Sequence, residues 1–494
     1  MSSLIVAKPA MDEEKAVCCN TTAERLDDDL TINSDEILVT WDSPTDPTNP
    51  QNWTAFRKWA VTILTSLGGL VTLMSGVMVA PAQSAMGKDL SISEEEAQMA
   101  LSIFVLAFAT GPVLLAPLSE LYGRRPVWIL GSLWYILWNT VCGFARDRSL
   151  LIVARFMGGL GASAEFAIGV PVLGDCWSSD QRGKSFAIAS FIPLMGPAVG
   201  PILGGVVSDK ANWHWIFWSV SIFSSILVIV ALPLFPETYG PLILARKVKL
   251  LNDQQDGNQR YTTGFAPTSV LQSLTRPMRL LATQPILQVM SIFLAFNFGT
   301  LYIVLSTFAS MWIEQYNQSM AVSGLHYISL AIGYTISAQI GGPATDRLWQ
   351  HLKKKAGGVT VPEYRIPLMI PGAILIPVGL FWSGWAAESK VFWLVTDIGT
   401  GVYGCGFIVA GQAMQAYILE SYEQYSASAL AGAQLLRGFA AFAFPIFAPA
   451  MYNSLGYGWG NSLLAFLFMA IGVPAPLILW RFGARLRAKG KTQS

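Results

Sequence analysis

Charge is scarce in this chain. Of 494 residues, only 13% are Asp, Glu, Lys or Arg, against roughly 25% in a soluble globular protein. Thirty-one acids and 32 bases cannot wet a water-soluble body of this size, and eleven of the acids are used up within the first 55 residues. Histidine is nearly absent (His214, His326, His351). The five cysteines, Cys18, Cys19, Cys142, Cys176 and Cys405, show neither metal-ligand spacing nor a disulfide framework. No lysine-bearing phosphate loop of the NTPase type is present. No enzyme constellation stands out, and no cofactor or metal is called for. A net charge of +1 without a long basic run gives no reason to expect nucleic acid. The polar, acidic N-terminus has no cleavable signal pattern, so the first apolar run would direct insertion into a membrane.

Apolar sequence is abundant: 53% of the residues are hydrophobic. A helix needs about 20 apolar residues to cross a bilayer core of roughly 30 Å. The first such run follows Arg57 and Lys58 and ends near Ala80; others cover 97–119, 127–145, 151–173, 185–207 and 214–235. After a polar stretch come 285–310, 322–344, 366–386, 391–413, 427–450 and 460–480. The expected fold is an all-α membrane protein of twelve spanning helices in two six-helix bundles, residues 56–235 and 285–480, joined by a cytoplasmic loop over 236–284. Residues 1–55 read as a disordered acidic tail and 481–494 as a basic one. Lys and Arg are retained on the cytoplasmic side. They collect at Arg124, Arg125, Arg182 and Lys184, in the central loop from Arg246 to Arg279, at Arg347, Lys353, Lys354, Lys355 and Arg365, and in the C-terminal tail. The other side holds only Lys88, Arg146, Arg148, Lys210 and Lys390, so both termini are expected to be cytoplasmic.

The halves echo each other. Ala116-Pro117-Leu118-Ser119-Glu120 after the second span matches Gly342-Pro343-Ala344-Thr345-Asp346 after the eighth, and arginines follow both. Duplicated halves with a site between them are a transporter architecture. Through these residues the chain resembles the major facilitator superfamily, and within it the twelve-helix drug:proton antiporters of fungal type. Leu118 to Arg125 resembles the signature between the second and third helices, with Glu120 in place of the usual Asp and Ala116 in place of the opening Gly. Leu151 to Ser163, with Arg155, resembles the fourth-helix signature, although Gly158 replaces a usually polar residue. Gly196-Pro197, Gly200-Pro201 and Gly204-Gly205 resemble the fifth-helix signature of antiporters. Asp46 to Trp53, Pro236-Glu237-Thr238-Tyr239 and Pro362-Glu363-Tyr364-Arg365 resemble segments of fungal members, and the likeness covers about residues 41–490.

The resemblance implies roles for several residues. Glu120, Gly123, Arg124 and Arg125, with Asp346 and Arg347, would form a cytoplasmic latch that holds the outward-open state; positive-inside anchoring is the plainer reading of the arginines. The fifth-helix glycines and prolines would make a pliable seal that closes the cytoplasmic or central path, or simply a kinked packing helix. Arg155 falls among residues tied to proton coupling, and a structural ion pair is its alternative. An ionised group at membrane depth costs at least ~2.5–3.5 kcal/mol, so it faces a cavity or a partner. Glu165 lies ten residues on, turned by about 80° and displaced by ~15 Å, so it is no direct partner of Arg155. It has the chemistry to take up a proton and release it, or else is satisfied by a neighbouring helix. Asp397 and Arg437 are further ionisable groups inside apolar runs, each a candidate for coupling or for a buried pair. Glu420 and Glu423 read as solvated loop charges. Phe296, Phe298 and Tyr302 are candidates to line a cavity for a flat ligand. Of the sequons at Asn20, Asn52 and Asn317, the topology leaves only Asn317 open to glycosylation.

The expectation is a monomeric, multi-pass plasma-membrane protein whose partners are protons, the bilayer and a small molecule. It would export an amphipathic or aromatic compound, a drug or a self-made toxin of the cercosporin kind, in exchange for protons. An importer of a nutrient, polyamine or iron chelate and a transport-inactive receptor or scaffold are the competing readings.

Overall fold

The computed structural model describes residues 36–43, 45–177, 185, 189, 191–254, 260–262, 270–355, 361–422 and 426–491. Cys18, Cys19, Asn20, Arg182, Lys184 and Glu423 lie outside the described residues, as do residues 1–35 of the expected tail. Every one of the twelve apolar runs is helical where it is described.

The first half contains α1 (Ala55–Val77), the short α2 (Gln83–Leu90), α3 (Glu94–Tyr122), α4 (Arg124–Cys142), α5 (Arg148–Cys176), α6 (Gly196–Lys210) and α7 (His214–Leu234). Next come α8 (Gly240–Gln254) and α9 (Val270–Thr283). The second half holds α10 (Pro285–Tyr316), α11 (Met320–Leu325), α12 (Ile328–Lys355), α13 (Met369–Glu388), α14 (Trp393–Ser421), α15 (Ser426–Gly472) and α16 (Pro474–Lys491). The chain reverses within α15 at Gly456, whose φ of 73° suits glycine. Among the described residues, eight helical stretches are long and apolar enough to cross a bilayer, one of them the folded-back stretch Ser428–Arg487. Large apolar side chains such as Leu130, Leu137, Ile222 and Ile229 point outward, as a lipid-facing surface requires.

Local chemistry sets the helix ends. Ser93 accepts from the Glu96 N–H while the Glu96 carboxylate accepts from the Ser93 N–H, and Glu94, Glu95 and Glu96 place negative charge at the N-terminus of α3. Asp147 caps α5 through the Leu150 N–H. Lys353, Lys354 and Lys355 end α12, where the helix dipole favours cations. Within each bundle small residues bring backbones together: Gly159 on Phe104, Gly161 on Gly131 and Tyr135, Gly333 on Gly401, and Gly372 on Ala410.

Part of the expected tail has structure. Glu36–Leu38 (β1) pairs in parallel with Arg260–Thr262 (β2), so the N-terminal segment is stitched to the connector between the halves. Lys247 pairs with Asp42 at 2.5 Å. Asp46 is almost buried and accepts from the Thr48 N–H (2.8 Å), the Thr48 hydroxyl (2.6 Å) and the Asp42 N–H (3.1 Å). Disorder over the whole of 1–55 is therefore corrected for the residues from Glu36 onward, and the connector over 236–284 contains helices α8 and α9 rather than only loop. The Thr48 hydroxyl, ahead of the Thr48 N–H, holds the Asp46 carboxyl below its usual value of 3.8. A lowered carboxyl stabilises the docked segment above that value and loses its contribution as the pH falls through and below it. Asp46→Ala should expose residues 40–54 to limited proteolysis at neutral pH, and wild type should show the same cleavage only in acid; equal protection in both proteins at pH 7 would count against this role.

Candidate functional site

A cavity of about 340 Å³ lies between the halves, within the roughly 300–1,000 Å³ typical of small-molecule pockets. The first half contributes Thr65, Ser66 and Gly69 of α1, Phe108 of α3, Glu165, Phe166 and Leu173 of α5, and Pro193 and Pro197; the second contributes Phe298, Leu301 and Tyr302 of α10, Tyr334 of α12, Phe407, Gln412 and Gln415 of α14, and Arg437 of α15. Phe108 meets Phe166 edge-on at 4.9 Å, and Phe298 meets Phe407 at 5.0 Å. Of the three aromatic residues expected to line a cavity, Phe298 and Tyr302 do so, whereas Phe296 packs on Phe444 and Phe468.

Glu165 reaches the cavity from α5 with 8% of its surface exposed. Its carboxyl accepts from the Trp128 indole N–H at 2.6 Å and from the Ser132 hydroxyl at 3.2 Å, both on α4. Ser132 also donates to the Trp128 carbonyl at 2.8 Å, so its single proton serves one acceptor at a time. Gly68 of α1 leaves the room the carboxyl occupies, for a Cβ there would overlap both carboxyl oxygens. Arg437 stands on the other half, with its guanidinium 3.9 Å from the Phe298 ring centroid. No hydrogen bond or ion pair joins it to another of the described residues.

Arg155 differs from Arg437. It is 2% exposed, donates from Nε to the Ala100 carbonyl (2.9 Å) and from Nη2 to the Ser75 carbonyl (3.2 Å), and covers the Phe104 ring at 4.4 Å. It does not line the cavity. The structural alternative was an acidic partner; the partners are carbonyls and an aromatic face.

The far side of the cavity, away from the termini, is closed by small residues of α6. Gly196, Gly200 and Gly204 lie against Leu73, Met74 and Met78 at the end of α1 and just beyond it. Gly205 lies on the Met320 carbonyl of α11, and Gly324 of α11 lies on Pro201 and Ile202. Gly438 of α15 meets Ala109 of α3, and farther out Asn453 donates to Glu94 at 3.4 Å. Of the six motif residues, Gly205 and Pro201 meet the second half on the side opposite the termini, Gly196, Gly200 and Gly204 pack within the first half, and Pro197 lines the cavity.

The Major Facilitator Superfamily profile matches residues 65–445. The chain belongs to the major facilitator superfamily. It is 43% identical over 424 residues to an Aspergillus flavus protein named probable efflux pump mfs2, covering 84% of this chain and all (100%) of that one. It is 39% identical over 493 residues to the efflux pump vrtL of Penicillium aethiopicum, covering 99% of this chain and 97% of that one. Among solved structures, the proton:xylose symporter XylE superposes with a TM-score of 0.63 at 16% identity, over 87% of this chain and 96% of XylE. That likeness shows the facilitator fold. The chain is a multi-pass membrane transporter.

In this facilitator the signature after α3 is wired within its own half. Gly123 has a φ of 105°, and a side chain there would strike the Glu237 carboxylate. Glu237 accepts from the N–H groups of Arg124 (2.9 Å) and Arg125 (3.4 Å). The Arg124 guanidinium donates to Ser119 (2.6 Å), reaches Asp175 at 3.5 Å and covers Tyr239 at 4.7 Å. Arg125 donates to the Leu232 carbonyl at 2.7 Å. Glu120 is exposed and makes no hydrogen bond or ion pair in this network among the described residues; the acids that meet the arginines here are Asp175 and Glu237. Arg347 is exposed as well, and Asp346 falls in α12 where only the backbone is described.

Asp397 belongs to a cluster that the sequence did not reveal. Its Oδ2 is 2.7 Å from Nδ1 of His326, whose Nε2 is 2.8 Å from Oε1 of Gln318. The His326 ring stacks on Trp312 at 3.7 Å. The cluster lies at the far end of α14, away from the cavity residues. The only available signal was a histidine at the edge of an apolar run. Glu420 pairs with Arg365 at 2.7 Å rather than standing as a free loop charge. Asn317 is exposed, in the left-handed region at the end of α10.

If the α6–α11 contact closes the far side, Gly205→Val should open it. Spin labels at Lys210 and Ser389 should show a larger population at long distance than in the unsubstituted protein; an unchanged distance distribution would refute the seal.

Proposed function

We propose that the protein exports a small amphipathic aromatic compound in exchange for protons, by rocking residues 56–235 against residues 285–480. The observation that carries this reading is the aromatic cavity between the halves with the Glu165 carboxyl in its wall. The efflux-pump relatives favour export. Both termini would face the cytoplasm of a plasma-membrane protein, as the basic residues argue, so the cavity lies in the cytoplasmic part of the bundles and the α6 seal closes the outer side. The molecule then rests in an inward-facing state. Its Arg124–Asp175–Glu237 network stays within the first half, consistent with a latch between the halves that has let go.

Glu165 has partners in either charge state. The ionised carboxylate accepts from Trp128 and Ser132. When Ser132 donates to the Trp128 carbonyl instead, its oxygen is free to receive the proton of the neutral acid. Cargo that donates a hydrogen bond to the carboxylate competes with the proton for the same atoms, and that competition is the physical basis of exchange. Arg155, held by carbonyls of α1 and α3, positions α5 against these helices and so fixes where Glu165 stands.

In vesicles containing the purified protein, an imposed pH gradient should drive aromatic fluorophores uphill, and a protonophore should abolish the movement. Glu165→Gln should abolish most gradient-driven flux in a protein that still folds, since an amide has no proton to exchange against cargo. Full gradient-driven flux in this variant would remove Glu165 from the coupling, and gradient-independent flux in wild type would end the exchange proposal.

A further inference from the structure

The cavity is chemically polarised. Its first-half wall offers an acceptor, the Glu165 carboxyl. Its second-half wall offers a donor group: the Arg437 guanidinium, which lies over the Phe298 face beside Tyr302 and has no hydrogen-bond or ion-pair partner among the described residues. A cation at membrane depth without a hydrogen-bond or ion-pair partner is costly, and the cavity leaves room beside it for an anion. Arg155 provides the internal contrast. It is the same residue type within an apolar helix, yet its donors are met by two backbone carbonyls and it has no part in the cavity. Between the two walls stand Phe108, Phe166 and Phe407, which accept flat rings.

We propose that the cargo is an aromatic anion, a carboxylate or acidic enol, that pairs with Arg437 and presents a hydroxyl at its opposite end to Glu165. The inference rests on the reading of this cavity as the cargo site and adds the cargo's charge and orientation. Arg437 gives a planar fork matched to a carboxylate. Glu165 repels an acid placed next to it when ionised, so the anion is oriented with its hydroxyl towards the first half. Polyamines and other cations, which one rival reading would import, are disfavoured by the guanidinium.

The test is equilibrium binding to the purified full chain in lipid nanodiscs at neutral pH. Four naphthalene probes suffice: 6-hydroxy-2-naphthoate, its methyl ester, the corresponding aminomethyl naphthol, and 2-naphthoate without the hydroxyl. The hydroxy acid should bind about tenfold tighter than the ester or the amine, the scale of one desolvated charge pair. 2-Naphthoate should bind several-fold more weakly than the hydroxy acid. Arg437→Gln should bring acid and ester to equal affinity, with the ester's unchanged binding reporting an intact cavity, and Arg437→Lys should keep most of the preference. An ester or amine that binds as well as the acid in wild type overturns the proposal, as does an acid preference that survives Arg437→Gln or a lack of binding by all four. The wild-type ratios decide even where a variant does not fold. These ratios are independent of flux: gradient-driven transport with a preference for cations would refute this inference alone, and anion preference without gradient-driven transport would refute only the proton-exchange reading.

Discussion

Inside a molecule whose flanks are oil, a polar side chain has no water to turn to, so it is met by protein or turned into the cavity. Most buried polar groups here follow the first course. Asn139 of α4 donates to the Phe217 carbonyl and the Ser221 hydroxyl of α7, Ser75 of α1 meets Tyr135 of α4, and Arg155 spends its donors on carbonyls of α1 and α3. These bonds cross between helices and set how the first bundle is assembled. Glu165 and Arg437 are different because they are presented to an open volume from opposite halves. A cavity wall carrying an acceptor on one side and donors on the other is where chemistry, rather than packing, selects the side chain.

Small residues provide the complementary constraint. Lipid tails are as apolar as leucine, so helices in a bilayer gain little from hydrophobic burial against one another and rely on close van der Waals approach. The glycines of α6 make two kinds of contact. Three bind α6 to the α1 region within its own half, and Gly205 touches α11 of the other half. At Gly205 and Gly324 the contact between the halves sets backbone against backbone, and such a surface can part and re-form without rearranging a core. The signature after α3 is built on the opposite plan. Glu237, arriving from beyond α7, threads its carboxylate beneath Gly123 and onto two backbone N–H groups, which fixes the start of α4 by charge-assisted hydrogen bonds.

The far-side cluster of Asp397, His326, Gln318 and Trp312 ties α10, the turn after α11 and α14 into one unit. It sits directly behind the short helix that receives Gly205 and Pro201. The contact with α6 therefore rests on a part of the second half held by the buried Asp397–His326 hydrogen bond and a stacked ring.

Much of this was legible along the chain. The count and parity of the spans, the two halves and their connector follow from the length of apolar runs, because only a helix of about 20 residues satisfies its backbone across a bilayer. The depth of Arg155, Glu165, Asp397 and Arg437 followed from the same runs. Periodicity along a helix says which residues share a face, but not which neighbour that face meets. Tertiary structure alone therefore decided that Arg155 is satisfied while Arg437 is open to the cavity, that Asp397 has a histidine, and that Asp175 and Glu237 meet the arginines after α3. It also decided that residues from Glu36 onward are docked, since a parallel pairing with residues more than two hundred positions away leaves no local pattern in either segment.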